Sequence, residues 1–86
     1  MFKLKISIVN NSIFLRIPYK GGFAVWELNI ISKEWVIRSV SMPFSPKKVA
    51  NFHRQFLNGQ KLRRLMVKHA AATHKYDVLN YLQSIR

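Results

Sequence analysis

The cations of residues 61–68, in the sequence KLRRLMVK, are the side chains whose types and spacing most clearly predict chemistry. On a helix, Lys61, Arg64 and Lys68 fall within about 60° of one another around the axis, opposite the side of Leu62 and Met66. Like charges at this spacing repel one another and disfavour the isolated helix. Because a row of phosphate groups would relieve that repulsion, the run predicts a phosphate-binding helix face, with Arg63 supporting it.

A second pair of cations, Lys47 and Lys48, follows Ser45 and Pro46. Serine is a favoured helix N-cap and proline suits the first helical position, so a helix is predicted to begin here. Lysines in the first turn oppose the helix dipole, whereas free N–H groups and two ammonium groups together suit a phosphate. We therefore expect this pair to support nucleic-acid binding.

A third set of residues combines cations with an aromatic ring in the first half of the chain. On one face of a sheet, such a combination can stack on and neutralise single-stranded nucleic acid. The candidates for this surface are Lys3, Lys5, Phe14, Arg16 and Arg38. The helical surface is favoured over this one, because residues 46–86 contain nine basic and one acidic residue (+8), whereas residues 1–45 contain six and two (+4).

Catalytic chemistry has little support in the sequence. The chain has three carboxylates and no cysteine, so it predicts no acid–base dyad, no thiolate metal site and no cofactor. The three histidines also lack the spacing of metal ligands. A small metal-independent ribonuclease or toxin-like protein is a minor alternative, and its candidate residues would be His53, His69, His74, Tyr76 and Arg63.

The composition indicates one small, strongly basic globular domain. The 86 residues are 49% hydrophobic and carry 15 Lys and Arg against 3 Asp and Glu, for a net charge of +12. This length fits a single domain, and self-repulsion of this size is usually compensated by an anionic partner. Neither a signal peptide nor a run of about 18 apolar residues is visible, so we expect a soluble cytoplasmic protein with no membrane association.

Hydrophobic alternation predicts four strands in residues 1–42, at about 2–8, 13–19, 23–31 and 35–41. Turns predicted at residues 10–12, 20–22 and 32–34 separate them, the first rich in asparagine and the second in glycine. Connections this short predict an antiparallel meander. Trp26 and Leu28 are expected in the core. Residues 43–46 form a proline-containing connection to the helical half.

In residues 47–86 the apolar residues recur at helical spacing instead of alternating. The apolar pattern predicts helices at about 46–57, 60–73 and 75–85, with a break at residues 73–75. Phe52 and Phe56 should be largely buried against the sheet. On the second helix, one apolar side should comprise Leu62, Leu65, Met66, His69, Ala70 and Thr73. The predicted fold is therefore α+β, a four-stranded antiparallel meander with two or three C-terminal helices packed on it.

The charge pattern favours a non-enzymatic nucleic-acid-binding protein that contacts mainly the phosphate backbone. The charge pattern does not distinguish DNA from RNA or single from double strands, and it does not specify the oligomeric state. The alternative is an interaction protein of the phage or mobile-element type. Such a protein would dock on an acidic protein surface or on a nucleoprotein complex such as a ribosome, a polymerase or a defence complex.

Overall fold

A computed structural model describes residues 4–19, 21–41, 45–57 and 59–84 and has the predicted α+β architecture. Four strands come first: β1 (Lys5–Val9), β2 (Ser12–Tyr19), β3 (Gly22–Asn29) and β4 (Trp35–Val40). The helical half contains α1 (Pro46–Phe52), a π-helical turn (His53–Leu57), α2 (Gln60–Ala72) and α3 (Tyr76–Ser84). None of these helices is long and apolar enough to cross a membrane.

The sheet is an antiparallel meander in the order β1-β2-β3-β4, as predicted. Each turn contains a residue with left-handed backbone: Asn10 has a φ of 54°, Gly21 a φ of 82° and Lys33 a φ of 64°. Asparagine and glycine tolerate this conformation well, so the first two turns are the ones that the sequence signals. Short turns fix the register, so that Leu15 lies opposite Trp26 and Ile13 opposite Leu28. The alternate apolar residues of β2 and β3 therefore share one face of the sheet.

That face forms half of the hydrophobic core. Every second residue is at most 3% exposed in both central strands: Ile13, Leu15 and Ile17 in β2, and Ala24, Trp26 and Leu28 in β3. The helical half contributes the other buried residues, Leu57, Leu62, Met66, Ala70, Val78 and Leu82. Within the described ranges, the helices thus cover one face of the sheet and leave the opposite face open to solvent.

Aromatic stacking connects the first helical segment to the sheet. The rings of Trp26 and Phe52 are stacked with centroids 5.4 Å apart, and Phe56 lies 4.8 Å from Phe52. Both phenylalanines pack against the core, as predicted, but neither is fully buried. The reason is that α1 has only seven residues and covers β4 incompletely, which leaves Ile37 and Val40 at least 40% exposed.

The helices differ from the sequence prediction in two respects, the end of the first helix and the apolar side of the second. The first helix gives way to the π-helical turn at His53, and its wider turn brings Leu57 into the core. On α2, Leu65 is 38% exposed, and Thr73 lies beyond the last helical residue, so neither belongs to the apolar side. The predicted break after α2 is confirmed, because His74 has a φ of 58°.

Leu62 and Leu65 provide a matched test of this packing. Leu62 is completely buried, so Leu62→Ala should lower the free energy of unfolding by about 2–5 kcal/mol. Leu65→Ala makes the same chemical change at an exposed position of the same helix and should cost within about 0.5 kcal/mol. Urea unfolding followed by circular dichroism measures both, and equal losses would contradict this placement of α2.

Candidate nucleic-acid interface

Three cations lie together on the outer face of α2, as the spacing predicts. Leu62, Met66 and Ala70 follow one another at four-residue intervals and pack into the core. Lys61, Arg64 and Lys68 are exposed and occupy the opposite side of the helix. We refer to these three residues as the basic helix face, and it points away from the sheet.

Among the residues that the structure describes, no acidic side chain compensates the charge of the basic helix face. The N-cap of α2 is Gly59, which has no side chain to bond the first N–H groups, and the first turn holds no acidic residue. Within the described part of the chain, its three cations make no ion pair. The helix is therefore held by burial of its apolar side, since dipole and charge both act against it.

Arg63 lies beside the basic helix face in a different environment. It is half-buried, and its Nη2 donates a hydrogen bond to Gln60 Oε1 at 2.6 Å. A shallow depression of about 420 Å³ separates this part of α2 from Leu82 and Gln83 of α3. Arg64 and Lys68 also line it, so it joins Arg63 to the basic helix face.

Lys47 and Lys48 lie in the first turn of α1, and both are exposed. The predicted N-cap is confirmed, because the Ser45 hydroxyl accepts a hydrogen bond from the Lys48 N–H at 3.3 Å. That N–H is consequently already satisfied by the protein. The two lysines can contribute charge to an anion, but the helix end offers it fewer donors than the sequence suggested.

The uncovered side of the sheet is the second basic surface. Lys5 lies opposite Arg16 in the β1–β2 register, and Phe14 lies between Ser7 and Glu27 on its two neighbouring strands. We call the surface made by Lys5, Phe14, Arg16 and Phe23 the open sheet face. Phe14 and Phe23 are half-buried on it, whereas both cations are exposed. Lys3, the remaining predicted cation of the first strand, lies outside the described residues.

Phe23 is a candidate that the sequence reasoning missed. The guanidinium carbon of Arg16 lies 4.2 Å from the centroid of its ring, a cation–π contact. The signal was available in the alternation of β3, because placing Ala24 and Trp26 in the core puts Phe23 on the other face.

Arg38 lies on the same side of the sheet, but its charge is paired. Its Nε is 2.6 Å from Oε1 of Glu27, whose other carboxylate oxygen accepts a hydrogen bond from the Ser12 hydroxyl. Asn29 in turn donates to Ser12. Arg38 therefore neutralises the carboxylate of this surface, and Lys5 and Arg16 supply its excess charge.

The ribonuclease candidates are distributed over several parts of the molecule. His74 Nδ1 lies 3.0 Å from the Tyr76 hydroxyl, in the turn between α2 and α3. His53 instead lines an apolar groove of about 470 Å³ between β4 and α1, and Arg63 lines the α2–α3 depression. Among the residues that the structure describes, no group of three His, Asp or Glu side chains could hold a metal ion.

The hydrogen bonds of Glu27 give the open side of the sheet a pH dependence. The Ser12 hydroxyl, and next the Arg38 guanidinium, lower the pKa of Glu27 from its ordinary value of 4.5. A carboxyl with a depressed folded-state pKa stabilises the fold above its unfolded pKa, and this contribution disappears as the pH falls through the folded value. The melting temperature of the wild type should therefore exceed that of Glu27→Gln at neutral pH, and the gap should shrink below pH 4.5.

Glu34→Gln is the control for this experiment, because it removes an exposed carboxylate from the turn before β4. Its melting curves report the general effect of losing one negative charge. A gap between the wild type and Glu27→Gln that is the same at every pH would show that Ser12 and Arg38 do not favour the ionised carboxylate.

Comparison with protein-family models, with curated proteins and with solved structures found no match for this chain. A function for this chain therefore has to be argued from three features of the molecule: the charge distribution, the basic helix face and the open sheet face.

Proposed function

We propose that this chain is a non-enzymatic nucleic-acid-binding protein whose basic helix face contacts the phosphate backbone. The observation that carries the proposal is the exposure of Lys61, Arg64 and Lys68 on one side of α2, with no carboxylate in the first turn. In a chain of net charge +12, these three cations repel one another, and a bound polyanion would neutralise them and remove that repulsion.

The dimensions of α2 fit this role. At a rise of about 1.5 Å per residue, Lys61 and Lys68 are separated by roughly 10 Å along the helix axis, with Arg64 between them. Long side chains at that spacing can follow successive phosphates of a nucleic-acid backbone. Arg63 and the lysine pair of α1 add charge around this contact.

Backbone contacts of this kind position a protein on nucleic acid but do not read its sequence. The expected behaviour is therefore similar affinity for unrelated sequences, with a steep dependence on salt. The proposal includes a cytoplasmic location for the protein, where nucleic acid is accessible to it.

The salt dependence of binding tests the basic helix face directly. Each neutralised phosphate contributes about 0.9 to the slope of log K against log salt for duplex DNA and about 0.7 for single strands. Changing Lys61, Arg64 and Lys68 together to Gln should flatten the slope by about two to three. Fluorescence anisotropy of a labelled duplex, titrated at several potassium chloride concentrations, measures it.

A charge-matched variant controls for net charge. Lys33→Gln, Arg54→Gln and Lys75→Gln together also remove three exposed cations, from the β3–β4 turn, the π-helical turn and the α2–α3 turn. This variant should retain most of the wild-type slope. If both triple variants flatten the slope equally, the net charge and not the basic helix face determines binding.

Nuclease treatment during purification distinguishes nucleic acid from an acidic protein as the partner. Nucleic acid should copurify with the untreated wild type and be lost from the basic-face variant. A stoichiometric protein that stays bound after nuclease and high salt would instead favour the interaction-protein alternative.

A further inference from the structure

We infer that the open sheet face is a second nucleic-acid site, which binds the unpaired bases of a single strand by stacking on Phe14 and on the Arg16–Phe23 pair. The inference rests on the proposed function in taking nucleic acid as the ligand, but different residues on the other side of the molecule carry it.

Location separates this site from the basic helix face. The core lies between the sheet and α2, with Leu15 and Trp26 on one side and Leu62 and Met66 on the other. Phe14 and Arg16 project from the sheet away from that core, whereas the basic helix face projects from α2 away from it. One rigid segment of nucleic acid therefore cannot lie on both surfaces, and the two sites can be occupied independently.

The cations of the open sheet face favour an anionic ligand. Lys5 and Arg16 lie directly opposite each other on adjacent strands, an arrangement that is destabilising for like charges. The carboxylate of Glu27, which could have compensated them, is instead engaged by Arg38 and Ser12. A backbone phosphate at this face would be attracted by both cations.

The rings give the site its preference for bases. Phe14 lies between the small side chain of Ser7 on β1 and Glu27 on β3, and it is partly exposed on this face, where a base can stack on it. The guanidinium of Arg16 is held over Phe23, and a guanidinium plane is itself a stacking surface for a base. Phe14 and Arg16 are alternate residues of β2 and so lie on the same face, about 7 Å apart along the strand.

This combination selects single strands over duplexes. In a duplex the bases are stacked on one another and present only their edges, so a flat sheet bearing two aromatic positions has no ring face to contact. In a single strand, successive bases can be splayed onto aromatic side chains while the backbone follows the cations. The ligand is therefore an unpaired stretch of DNA or RNA.

Variants of Phe14 test the stacking contact. Phe14→Leu keeps an apolar side chain but has no ring, and Phe14→Tyr keeps the ring. Affinity for a labelled oligothymidylate or oligouridylate should fall roughly 5- to 150-fold for Phe14→Leu, the range for loss of one stacked base, and should stay near wild type for Phe14→Tyr. Affinity for a duplex should change little in either variant.

Photocrosslinking tests the same contact in the unaltered protein. An oligonucleotide carrying 5-iodouracil should crosslink on irradiation to the tryptic peptide of residues 6–16, which contains Phe14, or to that of residues 21–33, which contains Phe23. Crosslinks confined to peptides of α1 and α2 would overturn the inference, whatever the stability of the variants.

The outcomes also separate the two proposals. If Phe14→Leu binds oligonucleotides as the wild type does while the basic-face variant loses all binding, the sheet site is wrong and the proposed function stands. If Phe14→Leu loses single-strand binding while the basic-face variant keeps the wild-type salt slope, the sheet site stands and the helix site is wrong. If Phe14→Leu changes only the mass measured by sedimentation, the open sheet face is a protein interface and the inference fails.

Discussion

The packing of helices onto the Trp26 face of the sheet is the interaction on which the rest of the molecule depends. Trp26 is fully buried on β3, lies opposite Leu15 of the neighbouring strand β2 and stacks on Phe52 from the helical half. A large aromatic side chain in this position contributes more buried apolar area than any other core residue. Its burial fixes which side of the sheet is covered, and this in turn determines which residues of β2 and β3 stay at the surface.

This two-layer arrangement also explains how the fold accommodates its charge. The cations of α2 lie on the outside of the helical layer, and those of β1 and β2 lie on the outside of the sheet, so the core separates the two groups. Repulsion between charges across the layers is weak compared with repulsion within each surface, because it falls with distance and is screened by salt. Each surface can thus be strongly basic without unfolding the other.

Much of the fold could be predicted from the sequence, because its local signals agree with the tertiary structure. Strict alternation in β2 and β3, asparagine and glycine at the first two turns, and the N-cap Ser45 followed by Pro46 at the start of α1 all indicated what the structure contains. The position of the basic helix face followed in the same way, since helical spacing alone places those cations opposite the buried side.

The remaining features depend on contacts that no local pattern encodes. Helical periodicity grouped Leu65 with the apolar side of α2, but the core is only as wide as the sheet beneath it, and Leu65 falls outside it. The pairing of Arg38 with Glu27 depends on the β3–β4 register, and the cation–π contact of Arg16 depends on a diagonal neighbour across two strands. The π-helical turn likewise depends on the tertiary structure, because it ends on Leu57, which is buried in the core.

The register of β4 has a consequence for the behaviour of the protein when it is concentrated. Val25 pairs with Ser39 whereas Trp26 pairs with Ile37, so Arg38 is an extra residue that forms a bulge in this edge strand. The strand sequence WVIRSV is rich in β-branched residues and would otherwise be a template for growth of a sheet from one molecule to the next. Under the proposed function, a nucleic acid would gather several copies along its length and raise their local concentration, a condition that favours such growth. The bulge and the charged side chain of Arg38 interrupt the regular edge that such growth from one molecule to the next requires.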